Sequence, residues 1–271
     1  MAFRTEPEPP RGIAVTVAPG IRRLVADNPG PMTYHGTNTY LIDGPSGTLV
    51  LDPGPDDAAH VAAVLAAARP VVAILLSHTH IDHVGAVPAM RAATGAPVHG
   101  WHIPAIPDFA PDVLLRDGDA ALGWTALFTP GHAADHLCFA GPDGVVFSAD
   151  HVMGWSSTVV SPPLGDMAAY LGSLRRLLAR SDRLFLPGHG PPVPDPALLV
   201  QELLDHRLAR EAAILGALGR TPATTRALTN SLYCDLDDRL RRAAERNVIA
   251  HLLKLRDDGL ALDGPGGWTA A

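Results

Sequence analysis

Directly behind the apolar run VVAILLS, within six residues, stand four side chains of metal-ligand type: His78, His80, Asp82 and His83. A continuous β-branched and leucine run of this length, bounded by Pro70 and a polar cluster, is the pattern of a strand buried on both faces. Its end therefore lies at a sheet edge, just before a helix. Alternation along extended backbone points His78 and His80 the same way. The turn that follows carries Asp82 and His83 to a neighbouring point, so one cation can take the first pair and a second cation the other. The null alternative is a polar loop with incidental histidines, and the rest of the chain argues against it.

Three further residues of ligand type each follow an apolar run and a turn: His132 in TPGH, Asp150 in FSAD and His189 in FLPGH. Strands of one sheet end on a common edge, so these three can meet the histidine cluster although they lie far from it in sequence. Gly131 and Gly188, directly before two of the histidines, allow backbone conformations that aim a side chain inward.

The surrounding pattern is that of an α/β domain. IAVTVAPG, IRRLVADNPG, GTNTYLIDG and GTLVLDPG are spaced as consecutive antiparallel strands. DDAAHVAAVLAAA reads as a helix capped by Asp56 or Asp57. PVHG, WTALFTPGH, HLCFAG and GVVFSAD supply a second set of strands, and the helix MAAYLGSLRRLLA leads into the strand RLFLPGHG. This order predicts a pair of sheets with helices outside. The proline cluster Pro191, Pro192, Pro194 and Pro196 precedes a shift to long helices, which places a boundary between a catalytic domain of residues 1–195 and a helical domain of residues 196–271. In the second domain, TTRALTNSLY and DRLRRAAERNVIAHLLKLRDDG read as helices and LALDGPGGWTA as a hairpin, the order of a winged helix.

Composition excludes several classes. Cys138 and Cys234 have no CxxC partner, so neither a disulfide framework nor a thiolate zinc cage is indicated. The formal charge of −7, with Lys254 the only lysine, does not suit a broad nucleic-acid surface. The start MAFRTEPEPPRG lacks the basic end and apolar run of an export signal, so a cytoplasmic protein is expected. The most apolar stretch is broken by Arg69 and Pro70 and reads as helix then strand, not a membrane span.

His78, His80, Asp82, His83, His132, Asp150 and His189 match, in order, the metal ligands of the metallo-beta-lactamase superfamily, and Asp52 in LVLDPG matches its earliest motif aspartate. The resemblance implies a four-layer αββα sandwich. It further implies His78, His80 and His132 on one divalent ion, Asp82, His83 and His189 on a second, and Asp150 between them, with Asp52 holding the ligand loop by hydrogen bonds. ADNPGPMTYHGTNTYLI, TPGHAADHLCF, SADHVMGWSSTVV, YLGSLRRLL, PGHGP and HRLAREAAILGAL resemble the branch with a C-terminal winged helix that contains the mitochondrial beta-lactamase-like endoribonuclease of animals and its bacterial relatives. Ala149 stands where a glycine usually precedes the bridging aspartate, and Ala86 where a second glycine often follows the histidine motif.

A hydroxide between two divalent ions is a nucleophile at neutral pH, because metal binding lowers the pKa of water to about 7. Asp82 would orient it and receive a proton. Zinc suits imidazole and carboxylate donors best, with manganese and iron open on ligand type alone. His136 is the further candidate for a contact behind the ligands or with substrate, and His151 a weaker one. His35, His60, His99, His102, His206 and His251 read as surface or packing residues. Tyr34, Thr37, Asn38 and Thr39 are open between lining the mouth and turn chemistry.

Three functional readings follow. The acidic, lysine-poor catalytic domain favours hydrolysis of a small ester, thioester or lactone, and the resemblance implies cleavage of single-stranded RNA as the alternative. A different class is a DNA-binding sensor, with RRAAERNVIAHLLKLR as recognition helix and Arg239, Arg241, Arg242 and Arg246 as its cations. Against that reading, Leu240, Val248, Leu252, Leu253 and Leu255 mark an apolar face of a module that walls the cleft. Resistance to beta-lactams is not expected, given Asp82 and the absent export signal. A homodimer is expected by analogy only.

Overall fold

The computed structural model describes residues 3–234 and 237–271. The chain opens with the antiparallel strands β1 (Val15–Ala18), β2 (Ile21–Val25), β3 (Asn38–Gly44) and β4 (Gly47–Leu51), as the glycine and proline punctuation predicts. Helix α1 (Ala58–Ala67) starts where Asp57 accepts the Ala59 N–H, and crosses over to β5 (Val71–Leu75), parallel to β4. Helices α2 (Ile81–Val84) and α3 (Val87–Thr94) follow, then β6 (Val98–Trp101) and β7 (Val113–Leu115), which complete a seven-stranded sheet in sequence order.

The second sheet contains β8 (Ala120–Ala121), β9 (Trp124–Phe128), β10 (Leu137–Ala140) and β11 (Val145–Ala149). Helix α4 (Met167–Leu178), capped by Asp166, crosses to β12 (Leu184–Pro187), and β13 (Val193–Pro194) closes the six-stranded order β13-β12-β11-β10-β9-β8. The prolines of residues 191–196 were read as marking a domain boundary. The stretch also carries β13, because an outer strand tolerates prolines whose missing N–H faces away from the ladder. The short strands β7 and β8 also escape a pattern search, having too few residues to alternate.

Alternation along the strands builds four layers. Tyr40, Leu51 and Leu75 face Phe139, Phe147 and Leu186 of the other sheet, with the Tyr40 and Phe147 rings 5.0 Å apart. The opposite side chains of the first sheet, among them Leu41, Val50 and Ile74, pack on Val61 and Val64 of α1 and Met90 of α3. Those of the second sheet, Cys138, Val146 and Phe185, pack on Tyr170, Leu171 and Leu174 of α4. Each such side chain removed from water contributes about 1.5–3 kcal/mol, so both faces of both sheets resist disruption.

Helix α5 (Ala197–Ala217) places Leu199, Val200, Leu203 and Leu204 in the α4 layer and Ile214 in a separate cluster. That cluster unites α6 (Thr225–Leu232), α7 (Asp238–Asp257) and the hairpin β14 (Ala261–Gly264) with β15 (Gly267–Ala270), through Leu228, Val248, Leu252 and Trp268. This is the winged helix expected from sequence. Among the described residues, no helix is long and apolar enough to cross a membrane.

Candidate metal centre

Strands β4 and β5 run parallel, as do β11 and β12, while β9 is antiparallel to β10 and β10 to β11. In each sheet, therefore, the strands that carry the motifs end on the same side. Asp52 follows β4, His78 and His80 follow β5, His132 follows β9, Asp150 follows β11 and His189 follows β12. A backbone bridge between Thr37 and His189, with Asn38 N–H donating to the Gly188 carbonyl at 2.7 Å, stitches the two sheets at this edge. Asp82 and His83 lie within the one-turn helix α2, not in a turn preceding a helix.

The seven side chains converge. His78 Nε2 and His132 Nε2 lie 3.0 and 2.9 Å from His80 Nδ1, and Asp150 Oδ2 is 3.5 Å from His132 Nε2. Beside them, His83 Nε2 and His189 Nε2 stand 3.5 and 3.3 Å from Asp82 Oδ2, while Asp150 reaches both imidazoles at 3.4 Å. His78, His80, His132 and Asp150 form one group with the proximity a cation needs, and Asp82, His83 and His189 a second.

Hydrogen bonds on the far side of each ring fix which nitrogen faces inward. His132 Nδ1 donates to the Val159 carbonyl at 2.8 Å and His189 Nδ1 to the Gly36 carbonyl at 3.3 Å, since a carbonyl only accepts. Asp52 Oδ2 accepts from both His83 Nδ1, at 2.9 Å, and Ser77 Oγ, at 2.6 Å. The Ser77 proton being committed, its oxygen accepts His78 Nδ1–H at 2.9 Å. His78 and His132 thus present lone pairs to His80 Nδ1, which can donate to only one of them. The remaining close contact sets lone pair against lone pair, an arrangement that a shared cation relieves. His83 Nε2 and Asp150 Oδ1 are buried with no hydrogen-bond partner among the described residues, the same signature. Imidazole and carboxylate donors therefore fit divalent ions in both groups. Asp52 is also within reach of His78 and His83, but its oxygens are occupied by the loop they hold.

Electrostatics divides the cluster. Burial pulls His78 well below the ordinary range, and burial plus the neighbouring His132 brings His80 down to about 4. Burial opposes the charged forms of His83 and His189 too, but the carboxylates outweigh it. His83 is raised well above its usual value by Asp82, Asp150 and Asp52, and His189 is pushed up to about 9 by Asp150 and Asp82. Against burial, His83 and His189 hold the Asp82 carboxyl far below the carboxylate range, and Asp150 likewise.

Several supports were invisible in the sequence. The Pro187–Gly190 loop is pinned from the first sheet by Asn38 Nδ2, which donates to the Pro187 and Gly190 carbonyls at 2.8 and 2.9 Å, and by Tyr40 and Arg23. Thr37 Oγ1 donates to Asp82 Oδ2 at 3.0 Å, so the TYHGTNTY segment does contact the centre. Asp135 accepts from Thr79 Oγ1 at 2.6 Å and fixes the histidine loop from behind. His136 is fully buried with its ring 5.1 Å from that of His78, so it packs behind a ligand-type imidazole and has no access to substrate. His151 is buried against Tyr170. Gly131 has φ of 139°, as expected; Gly188 needs no unusual backbone, and its lack of a side chain instead leaves room for Asp150 and His83.

Five of these residues, His80, Asp82, His132, Asp150 and His189, form part of the wall of a cavity of about 620 Å³. Residues of α5 and α7 also line it, including His206, read from the sequence as a surface or packing residue, and Arg246, which was a candidate DNA contact. Tyr34 stacks on Trp155 at the side, ring centroids 5.1 Å apart.

Comparison with known proteins agrees with this architecture. The family described as Metallo-beta-lactamase superfamily matches residues 32–102, and the Beta-lactamase associated winged helix domain matches residues 224–268. The chain is 32% identical to an Atrochrysone carboxyl ACP thioesterase of Aspergillus chevalieri, over 92% of this chain and 85% of that one. A Beta-lactamase domain protein from Burkholderia ambifaria superposes with a TM-score of 0.81 at 22% identity, covering 97% of this chain and 95% of that one. TTHA1623, solved in a di-iron-bound form, gives a TM-score of 0.56 at 30% identity, over 65% of this chain and 96% of that one.

Proposed function

This chain belongs to the metallo-beta-lactamase superfamily, and we propose that its centre hydrolyses a small acyl thioester, with esters and lactones as chemical neighbours. The observation that carries the reading is the pairing of a cluster suited to two cations with a cavity whose lining is largely apolar, from Met32, Met153, Trp155, Val159, Leu164 and Leu240. His78, His80 and His132 would hold one divalent ion and Asp82, His83 and His189 a second, with Asp150 within reach of both groups. When bound, the ions supply a water of lowered pKa and polarise the acyl carbonyl.

The protein's own groups do the rest. Thr37 holds Asp82 so that its carboxylate faces the cavity, where it would take the hydroxyl proton of the tetrahedral species as the carbon–sulfur bond breaks and pass it to the departing thiolate, leaving carboxylate and thiol. Outward hydrogen bonds to Val159, Gly36, Ser77 and Asp52 keep the imidazole lone pairs turned inward. The walls from Met153, Trp155, Leu164 and Leu240 exclude water from an acyl chain. The thioesterase among the relatives favours sulfur over oxygen as leaving atom.

Single-stranded RNA is the second reading, favoured by the cations Arg207 and Arg246 on the cavity wall. The metal-loaded protein is assayed against acetyl-N-acetylcysteamine, a homoserine lactone and a single-stranded oligoribonucleotide. Preferred turnover of the thioester is the expected result. Preferred cleavage of RNA overturns the thioesterase reading. DNA recognition has less support, because Arg239 and Arg241 pair with Asp237 and Asp238 and Arg246 turns to the cavity.

A further inference from the structure

Arg207 of α5 is one of the largest fully buried side chains in the protein, 1% exposed, and it lies on the cavity wall. Among the described residues it has no carboxylate partner. Its guanidinium donates to the Thr158 carbonyl and sits 5.5 Å from the centroid of the Tyr170 ring, while its Nε has no hydrogen-bond partner among the described residues. A buried cation without a counter-ion is costly, and proteins rarely keep one unless a ligand supplies the missing charge.

Arg246 reaches the same cavity from α7. Its Nε donates to Ser161 Oγ at 2.8 Å, which orients the guanidinium, and no carboxylate among the described residues pairs with it. Among the described residues, the only carboxylates on the cavity wall are Asp82 and Asp150, both in the metal-ligand cluster. The cavity thus carries two guanidinium groups as well as the ligand cluster, with apolar surface at Leu164 and Leu240 besides.

We propose that Arg207 and Arg246 form an anion subsite, so that the substrate is an acyl thioester carrying a carboxylate or phosphate remote from the scissile bond. The planar forks of two arginines suit either anion bidentately. This rests on the thioesterase reading for the bond that is broken, but not for the anion that is bound. It also gives the winged helix a role: α7 brings half of the subsite, and the cleft is complete only with it in place.

The test combines binding and kinetics on the full-length protein. Titration calorimetry uses coenzyme A as the phosphate probe and succinate as the carboxylate probe. KM is measured for acetyl-coenzyme A, succinyl-N-acetylcysteamine and neutral acetyl-N-acetylcysteamine. The wild type binds at least one probe, and the matching anionic thioester has a KM lower than the neutral one by about tenfold or more, the size of one charged hydrogen-bonding contact. Arg246→Met weakens probe binding by about tenfold and collapses that KM ratio, with Arg246→Lys between. Arg207→Met behaves alike if it folds, and Arg246 suffices if it does not.

Failure to bind either probe, or an Arg246→Met variant with unchanged probe affinity and KM ratio, overturns the subsite while leaving thioester hydrolysis standing. Arg246-dependent probe binding without hydrolysis of any thioester upholds the subsite and overturns the thioesterase reading.

Discussion

Asn247 Oδ1 accepts the Val160 N–H at 2.9 Å, and the residue before Val160 offers its carbonyl to His132 Nδ1 at 2.8 Å. One side chain of the winged helix thus holds the loop that aims a metal-centre imidazole. The C-terminal domain is tied to the chemistry through a chain of two hydrogen bonds as well as through the cavity wall.

Asn247→Ala leaves a buried N–H unpaired, at a cost of about 1–3 kcal/mol, and loosens the Val159 carbonyl. We expect hydrolysis to fall by about tenfold in kcat with a smaller change in KM, and Asn247→Asp, which keeps an acceptor, to recover most of it. Equal kcat in the alanine variant and the wild type contradicts the link.

Asp52 gathers three donors, the Ser77 N–H, Ser77 Oγ and His83 Nδ1, beneath the ligand loop. Asp52→Ala frees His83 to rotate and removes the acceptor that sets the Ser77 hydroxyl for His78. Metal affinity, measured by competition with a chromophoric chelator, is expected to drop about 10–100-fold. Unaltered affinity would mean that Asp52 serves folding alone.

Ala149 has φ of 43°, a left-handed backbone that costs a residue with a side chain about 1–2 kcal/mol. Replacing it by glycine relieves that strain while losing a buried methyl and adding unfolded-chain freedom. The expected net change is within about 1 kcal/mol of zero. Ala126→Gly, equally buried in β9 but without a left-handed φ, is expected to lose about 1–2 kcal/mol. Chemical denaturation of the two variants separates them.

The contact between α5 and α7 is expected to weaken on acidification. Burial holds His251 below its ordinary 6.5, even though Glu211 opposes this. Its contribution is full above 6.5 and is lost as pH falls through the lower folded-state value. Burial raises the Glu211 carboxyl, but bonds from His251 and Lys254 outweigh it and hold it below 4.5, so its contribution is also lost on acidification. Both groups push the same way. The unfolding temperature of the metal-loaded protein should fall as pH drops below about 6.5, and His251→Leu should show a shallower fall. Identical pH profiles for the two proteins would remove His251 from the account.

What the sequence revealed of this centre was the part written in local spacing. His78 to His83 follow a strand by a fixed offset, and His132, Asp150 and His189 each close an apolar run, so all seven could be found without coordinates. Tyr40, Arg23 and Asn247 could not, and the role of Asn38 stayed open between the mouth and turn chemistry, because each holds a loop through a contact at least 87 residues away in the chain. His206 and Arg246 read as surface or recognition-helix residues, since only the packing of α5 and α7 against the catalytic sheets turns them to the cavity. β13 was hidden by its prolines for a related reason: its place at the sheet margin, which permits them, is a property of topology.

The most direct test is the metal content of the purified protein, by plasma mass spectrometry, measured with thioester hydrolysis on the same sample and on Asp150→Ala. The account predicts about two divalent ions per chain in the wild type. In the variant it predicts loss of at least one ion and a fall in hydrolysis of at least about a hundredfold. A metal-free wild type that hydrolyses the thioester at full rate, or an Asp150→Ala variant with both ions and unchanged turnover, would contradict it.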